Sequence, residues 1–106
     1  MPKYLFEASY SPDGVAGVAD KGGSARRDAI GALFESVGGK LEGLYFAFGD
    51  NDVYAFGELP DNEAATVAAL TVNRTGLATV RTVPLLTAEE VDRAAQRTAD
   101  YTPPGG

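Results

Sequence analysis

Residues 40–59 read Lys40-Leu41-Glu42-Gly43-Leu44-Tyr45-Phe46-Ala47-Phe48-Gly49-Asp50-Asn51-Asp52-Val53-Tyr54-Ala55-Phe56-Gly57-Glu58-Leu59. Two aromatic-rich runs flank Gly49-Asp50-Asn51-Asp52, whose residue types favour turns. The segment therefore reads as a β-hairpin, with strands over 40–48 and 53–59. A sheet with one face in water alternates between apolar and polar residues. Here Phe46 and Phe48 stand against Tyr45 and Ala47, and Tyr54 and Phe56 against Val53 and Ala55. Both faces of the hairpin are apolar. One face is expected to pack on helices and the other on a further body, most simply a second copy of the chain.

Upstream, residues 3–10 alternate as a strand, with Tyr4, Phe6, Ala8 and Tyr10 on one side and Leu5, Glu7 and Ser9 on the other. Ser11 to Gly23 contains Pro12-Asp13-Gly14 and Gly22-Gly23 and reads as a loop. Ser24 reads as the cap of a helix carrying Ala25, Ala29, Ile30, Leu33, Phe34 and Val37 at helical spacing, closed by Gly38-Gly39. Downstream, Asp61 or Asn62 caps a second helix whose small face is Ala64, Val67, Ala68, Thr71 and Val72, and Gly76 ends it. Residues 77–86 form a fourth strand. Thr87 and Glu90 make a capping box for a short third helix that carries Val91, Ala94 and Ala95 inward. The order βαββαβ plus a helix predicts an α+β, ferredoxin-like fold: an antiparallel four-stranded sheet with its helices on one face. One domain is expected over residues 1–99, followed by a Pro/Gly tail over 100–106.

Composition narrows the chemistry. The chain has 106 residues and no cysteine, histidine or tryptophan. Disulfides, zinc–thiolate sites, a cysteine nucleophile and the serine–histidine triad are excluded, together with the commonest general base. A net charge of −6 is the opposite of a nucleic-acid binder's. No apolar run approaches membrane-span length, and the N-terminus lacks the pattern of a signal peptide. These features predict a soluble, cytoplasmic protein without nucleic-acid or membrane partners. No cofactor or metal site is read, and no catalytic residue is assigned.

The chain resembles the GYD-domain family, within the dimeric α/β-barrel superfamily, over about residues 2–95. The resemblance is carried by Pro2-Lys3-Tyr4-Leu5-Phe6, Gly22-Gly23-Ser24-Ala25-Arg26 and Gly38-Gly39-Lys40-Leu41-Glu42. It continues in Tyr45-Phe46-Ala47-Phe48-Gly49, Leu59-Pro60-Asp61 and Leu85-Leu86-Thr87. The family is named for a Gly-x-Tyr-Asp turn; Gly49 and Asp52 match it, and Asn51 stands at the tyrosine position. The resemblance implies a homodimer whose sheets face each other as a barrel. It also implies clefts between sheet and helices that bind small molecules in several relatives, among them haem enzymes, cofactor-free oxygenases and isomerases. The missing histidine argues against the histidine-ligated haem members. What the resemblance implies is a homo-oligomeric, small-ligand-binding or stress-associated protein without strong catalysis. The alternatives are a cofactor-independent oxygenase or isomerase and a purely structural assembly subunit.

Within that frame the polar candidates are few. Gly22-Gly23 before a helix, followed by Arg26 and Arg27, is a combination that holds a carboxylate or phosphate, without P-loop spacing. Tyr10, Tyr45 and Tyr54 are strand tyrosines able to line a pocket and donate to a small polar ligand. Tyr45, Tyr54, Glu42 and Arg81 are together the polar groups suited to an otherwise apolar cleft. Asp50, Asp52, Asp61 and Glu63 offer oxygen ligands at spacing that matches turns and caps better than a calcium loop.

Overall fold

A computed structural model describes residues 1–105; of the tail, Gly106 lies outside the described residues. The elements run β1 (Lys3–Tyr10), α1 (Pro12–Lys21), α2 (Gly23–Ser36), β2 (Lys40–Phe46), β3 (Val53–Glu58), α3 (Asn62–Arg74), β4 (Ala78–Leu85) and α4 (Ala88–Ala95). The strands form one antiparallel sheet in the order β2-β3-β1-β4, the ferredoxin-like arrangement. α2 lies over β2 and α3 over β4, with little direct contact between the two helices. The core sits under them: Tyr4, Phe6, Phe34, Ala55, Leu59, Ala65 and Ala68 are buried together. Phe34 is fully buried and meets Phe6 edge-on at 5.4 Å. Residue 57 must be glycine, because a Cβ there would run into the Lys40 carbonyl and press on the Phe34 ring.

Several expectations are corrected. The stretch expected as a loop over 11–23 holds a helix. Ser11 caps it by accepting from the Gly14 N–H at 3.1 Å, Pro12 occupies its first turn and Asp13 faces its positive end. Pro-Asp-Gly reads as a turn in isolation, but proline is equally at home at the first helical position. Gly22, at φ +90°, is the joint between α1 and α2. α2 accordingly starts at Gly23, with Gly22 rather than Ser24 at its cap. The inward face of α3 is Ala65 and Ala68 with half-buried Val72; Val67 is 46% exposed. Asp61 caps α3, its carboxylate accepting from the Ala64 N–H at 2.8 Å. α4 has the expected capping box but turns no residue inward: Val91, Ala94 and Ala95 are all exposed.

A β-bulge between Leu41 and Gly43 resets the alternation of β2. Leu41 and Leu44 therefore share the helix side, whereas a straight strand would put them on opposite faces. Tyr45, opposite Tyr54, joins the uncovered side. The turn over 49–52 is clasped to β1. The Ala47 N–H donates to the Asp52 carbonyl at 2.8 Å and the Asp52 N–H donates to Ala8 at 2.8 Å. The Asp52 carboxylate accepts from the Tyr10 N–H at 2.7 Å, and the Ser9 hydroxyl donates to the Asp50 carbonyl at 3.1 Å. Replacing Asp52 by alanine leaves a half-buried N–H without its acceptor. A loss of about 1–3 kcal/mol in urea unfolding is expected, with Asp52→Asn milder because an acceptor remains. Equal stability of Asp52→Ala and the parent would show that the bond from Tyr10 to the Asp52 carboxylate contributes nothing.

Candidate functional site

The gap between α2 and α3, walled at its outer end by α1, is a cleft of ≈ 640 Å³. Val18, Ala29, Ile30, Leu33, Val72 and Leu77 supply apolar walls. Arg26, Lys21 and Asp13 bring charge, and Thr71 and Thr75 bring hydroxyls. Tyr10, at the end of β1, also lines it. Burial raises the pKa of the Tyr10 hydroxyl above its ordinary value, while the neighbouring Arg26 guanidinium opposes the rise and Asp52 adds to it. Tyr10 is therefore a neutral hydroxyl at pH 7, able to donate beside a fixed cation. The cleft continues inward. Tyr10, Arg26, Ile30, Leu33, Val72 and Ala78 also line a second, almost wholly apolar chamber of ≈ 40 Å³ that reaches Phe6, Phe34 and Ala55.

The candidate residues separate into three places. Arg26 is in the cleft. Arg27 points away from it, 57% exposed and 3.6 Å from the Asp28 carboxylate, an exposed pair of little energetic weight. Tyr45, Tyr54, Glu42 and Arg81 line neither cavity and lie on the sheet face opposite the helices. On that face Tyr45, Tyr54, Glu7 and Arg81 form one cross-strand row, and Phe56, Leu5 and Val83 form the next. Glu42, thrown outward by the bulge, takes the Lys3 ammonium on both carboxylate oxygens at 2.7 and 2.8 Å, with Glu58 at 3.7 Å. The hydrogen bond to Glu42 raises the Lys3 pKa, with Glu58 acting in the same direction. Asn51 donates its amide toward Glu7 and the Tyr54 hydroxyl, each at 3.4 Å. The residue at the family's tyrosine position thus faces the uncovered sheet side.

Asp52 and Asp61 are occupied by the backbone bonds described above, and among the described residues no group of three or more acidic side chains converges on one point. No helix among them is long and apolar enough to cross a membrane. Tyr10, one of the strand tyrosines read as able to line a pocket, is in the cleft; Asp13 and Lys21 are charged members that residue patterns did not single out as ligand groups. The signal that would have exposed them is Ser11-Pro12-Asp13, a capped helix start that builds the cleft's outer wall.

Comparison with known proteins adds a family model, the GYD domain, which matches residues 4–95. A crystal structure of the NE2512 protein of unknown function from Nitrosomonas europaea is similar at 22% identity. The match covers 82% of this chain and 91% of that chain, with a TM-score of 0.44. No curated protein matches. The matched span runs from the first strand through the last helix and includes the clasped turn at the motif position, and on it the chain belongs to the GYD-domain family.

Proposed function

We propose that this protein is a homo-oligomer that binds a small anionic molecule in the α2–α3 cleft and does not itself catalyse a demanding reaction. The observation that carries this reading is Arg26, set beside the neutral hydroxyl of Tyr10 where the cleft and the almost wholly apolar chamber share their lining, in a chain whose net charge is −6. An acidic protein repels free anions at long range, so a cation held against apolar walls favours ligands that combine charge with apolar surface. Arg26 and Tyr10 suit holding a carboxylate; a guanidinium does not serve as a base, and the tyrosine keeps its proton.

Self-association is supported by the uncovered sheet face. The Leu5, Phe56 and Val83 row is flanked by rows bearing both signs of charge: Lys3, Glu42 and Glu58 on one side, Glu7 and Arg81 on the other. Such a pattern can complement itself across a two-fold axis. In that assembly Tyr45, Tyr54, Glu42 and Arg81 become interface groups.

The anion reading is tested by titrating the protein with hexanoate and with hexanol, followed by calorimetry or NMR. Arg26→Gln is expected to weaken hexanoate by about ten- to a hundredfold, the worth of a hydrogen bond to a charged group, and to leave hexanol unaffected. Equal loss for both ligands, or none for hexanoate, would refute the role of Arg26.

A further inference from the structure

We infer that the inner chamber behind Arg26 and Tyr10 receives the apolar end of the ligand, so that the molecule bound is a short amphiphilic carboxylate with a compact alkyl terminus. This rests on the anion reading above. The chamber exists because small residues face one another: Ala8 and Ala55 on the central strands, Ala68 and Ala69 on α3 and Ala78 on β4 all line it. Larger residues at these positions would close it, and an apolar void in a core lowers stability. Its walls are almost devoid of polar surface, so water gains no partners there; apolar cavities of this kind accept apolar guests instead. Its volume of ≈ 40 Å³ is several times the space one water-sized group needs, room for about three heavy atoms. Benzene occupies a much larger cavity, of about 150 Å³, so an aromatic ring is excluded and a propyl or isopropyl end is admitted.

The geometry also fixes polarity. Arg26 and Tyr10 belong to both cavities and stand where the chamber opens into the outer cleft. From a carboxylate held there the inward direction is almost wholly apolar, whereas the outer cleft mixes apolar walls with Asp13, Lys21, Thr71 and Thr75 and accommodates whatever polar substituents the head carries. Chain length, rather than head-group detail, is the property this site reads most sharply.

The experiment is a series of straight-chain carboxylates from acetate to octanoate, titrated against the parent protein, Arg26→Gln and Ala69→Leu. Affinity is expected to climb about fourfold per methylene over roughly the three carbons that enter the chamber, the worth of one buried methylene, and then to flatten. Ala69→Leu is expected to abolish the climb. Arg26→Gln is expected to weaken all members alike while the climb persists. If the climb survives with the arginine's effect absent, the chamber stands and the anion reading falls. If affinity does not depend on length, or Ala69→Leu leaves the dependence intact, the chamber assignment is overturned. Xenon titration of the parent protein needs no variant: shifts at the Ala55 and Leu33 methyl resonances are expected, and their absence would equally overturn it.

Discussion

Phe34→Ala is expected to remove about 4 kcal/mol of folding stability, the middle of the range for truncating a buried aromatic. Phe34 is fully buried on α2 and packs that helix onto the sheet together with Ile30 and Leu33, edge-on to Phe6 and seated over Gly57. It also lines the inner chamber. Removing its ring would merge the new void with an existing one, so the neighbours cannot relax across the gap. A domain of this size holds about 5–15 kcal/mol in total, so the variant should lie near the edge of folding, with its melting temperature lowered by about 20 °C. Urea denaturation followed by circular dichroism measures this directly. Phe34→Leu, which keeps most of the volume, should lose less than half as much. A Phe34→Ala variant within about 1 kcal/mol of the parent would mean that α2 is held by contacts other than this one.

The parts of the fold that could be read from residues are those where local pattern and tertiary packing agree. The alternation of Tyr4, Phe6 and Ala8, the capping box at Thr87 and Glu90 and the turn at 49–52 are all local signals, and the structure keeps them. The misread parts depend on what lies far away in the chain. Pro12-Asp13-Gly14 is ambiguous between a turn and a helix start until α1 is seen to lie along β1 and α2. The bulge at Glu42 is invisible to a period-two count, although it decides that Tyr45 faces away from the helices. On α3, Val67 looked like a better core residue than Ala65. Packing of α3 on β4 instead turns the small residues Ala65 and Ala68 inward. Arg26 was legible as an anion-binding candidate because glycines and arginines cluster at one helix start. Tyr10 was legible too, as a strand tyrosine able to line a pocket, but that it shares a cavity with Arg26 depends on tertiary packing that no local pattern carries. Tyr45, Tyr54, Glu42 and Arg81 share one face as polar groups, but on the side of the sheet away from the cavities.

With two chains paired through the uncovered sheet face as proposed, Phe56→Glu is expected to convert the dimer to a monomer, raising its dissociation constant by about 300-fold or more. The expectation follows from the shape of the uncovered face. Gly43 lies opposite Phe56 and lacks a side chain that would collide with its ring, which lets the ring lie flat and stack on Tyr45 at 6.3 Å and 12°. Leu5 and Val83 extend the same row across β1 and β4. Two such faces brought together bury this row at their centre, while Lys3 with its carboxylates and the Glu7–Arg81 row remain available to pair across the axis. A glutamate in the middle of that contact is an unpartnered buried charge, at a cost of about 3–5 kcal/mol, and two-fold symmetry introduces it twice. Within one chain Phe56 is only half-buried and on the side away from the helices, so the variant should keep its fold. Sedimentation velocity at micromolar concentration, with circular dichroism as the check on folding, separates the cases. A parent protein sedimenting at the 11 kDa of a single chain would remove the proposal. So would a well-folded Phe56→Glu variant that remains as assembled as the parent, because the contact between copies would then lie elsewhere.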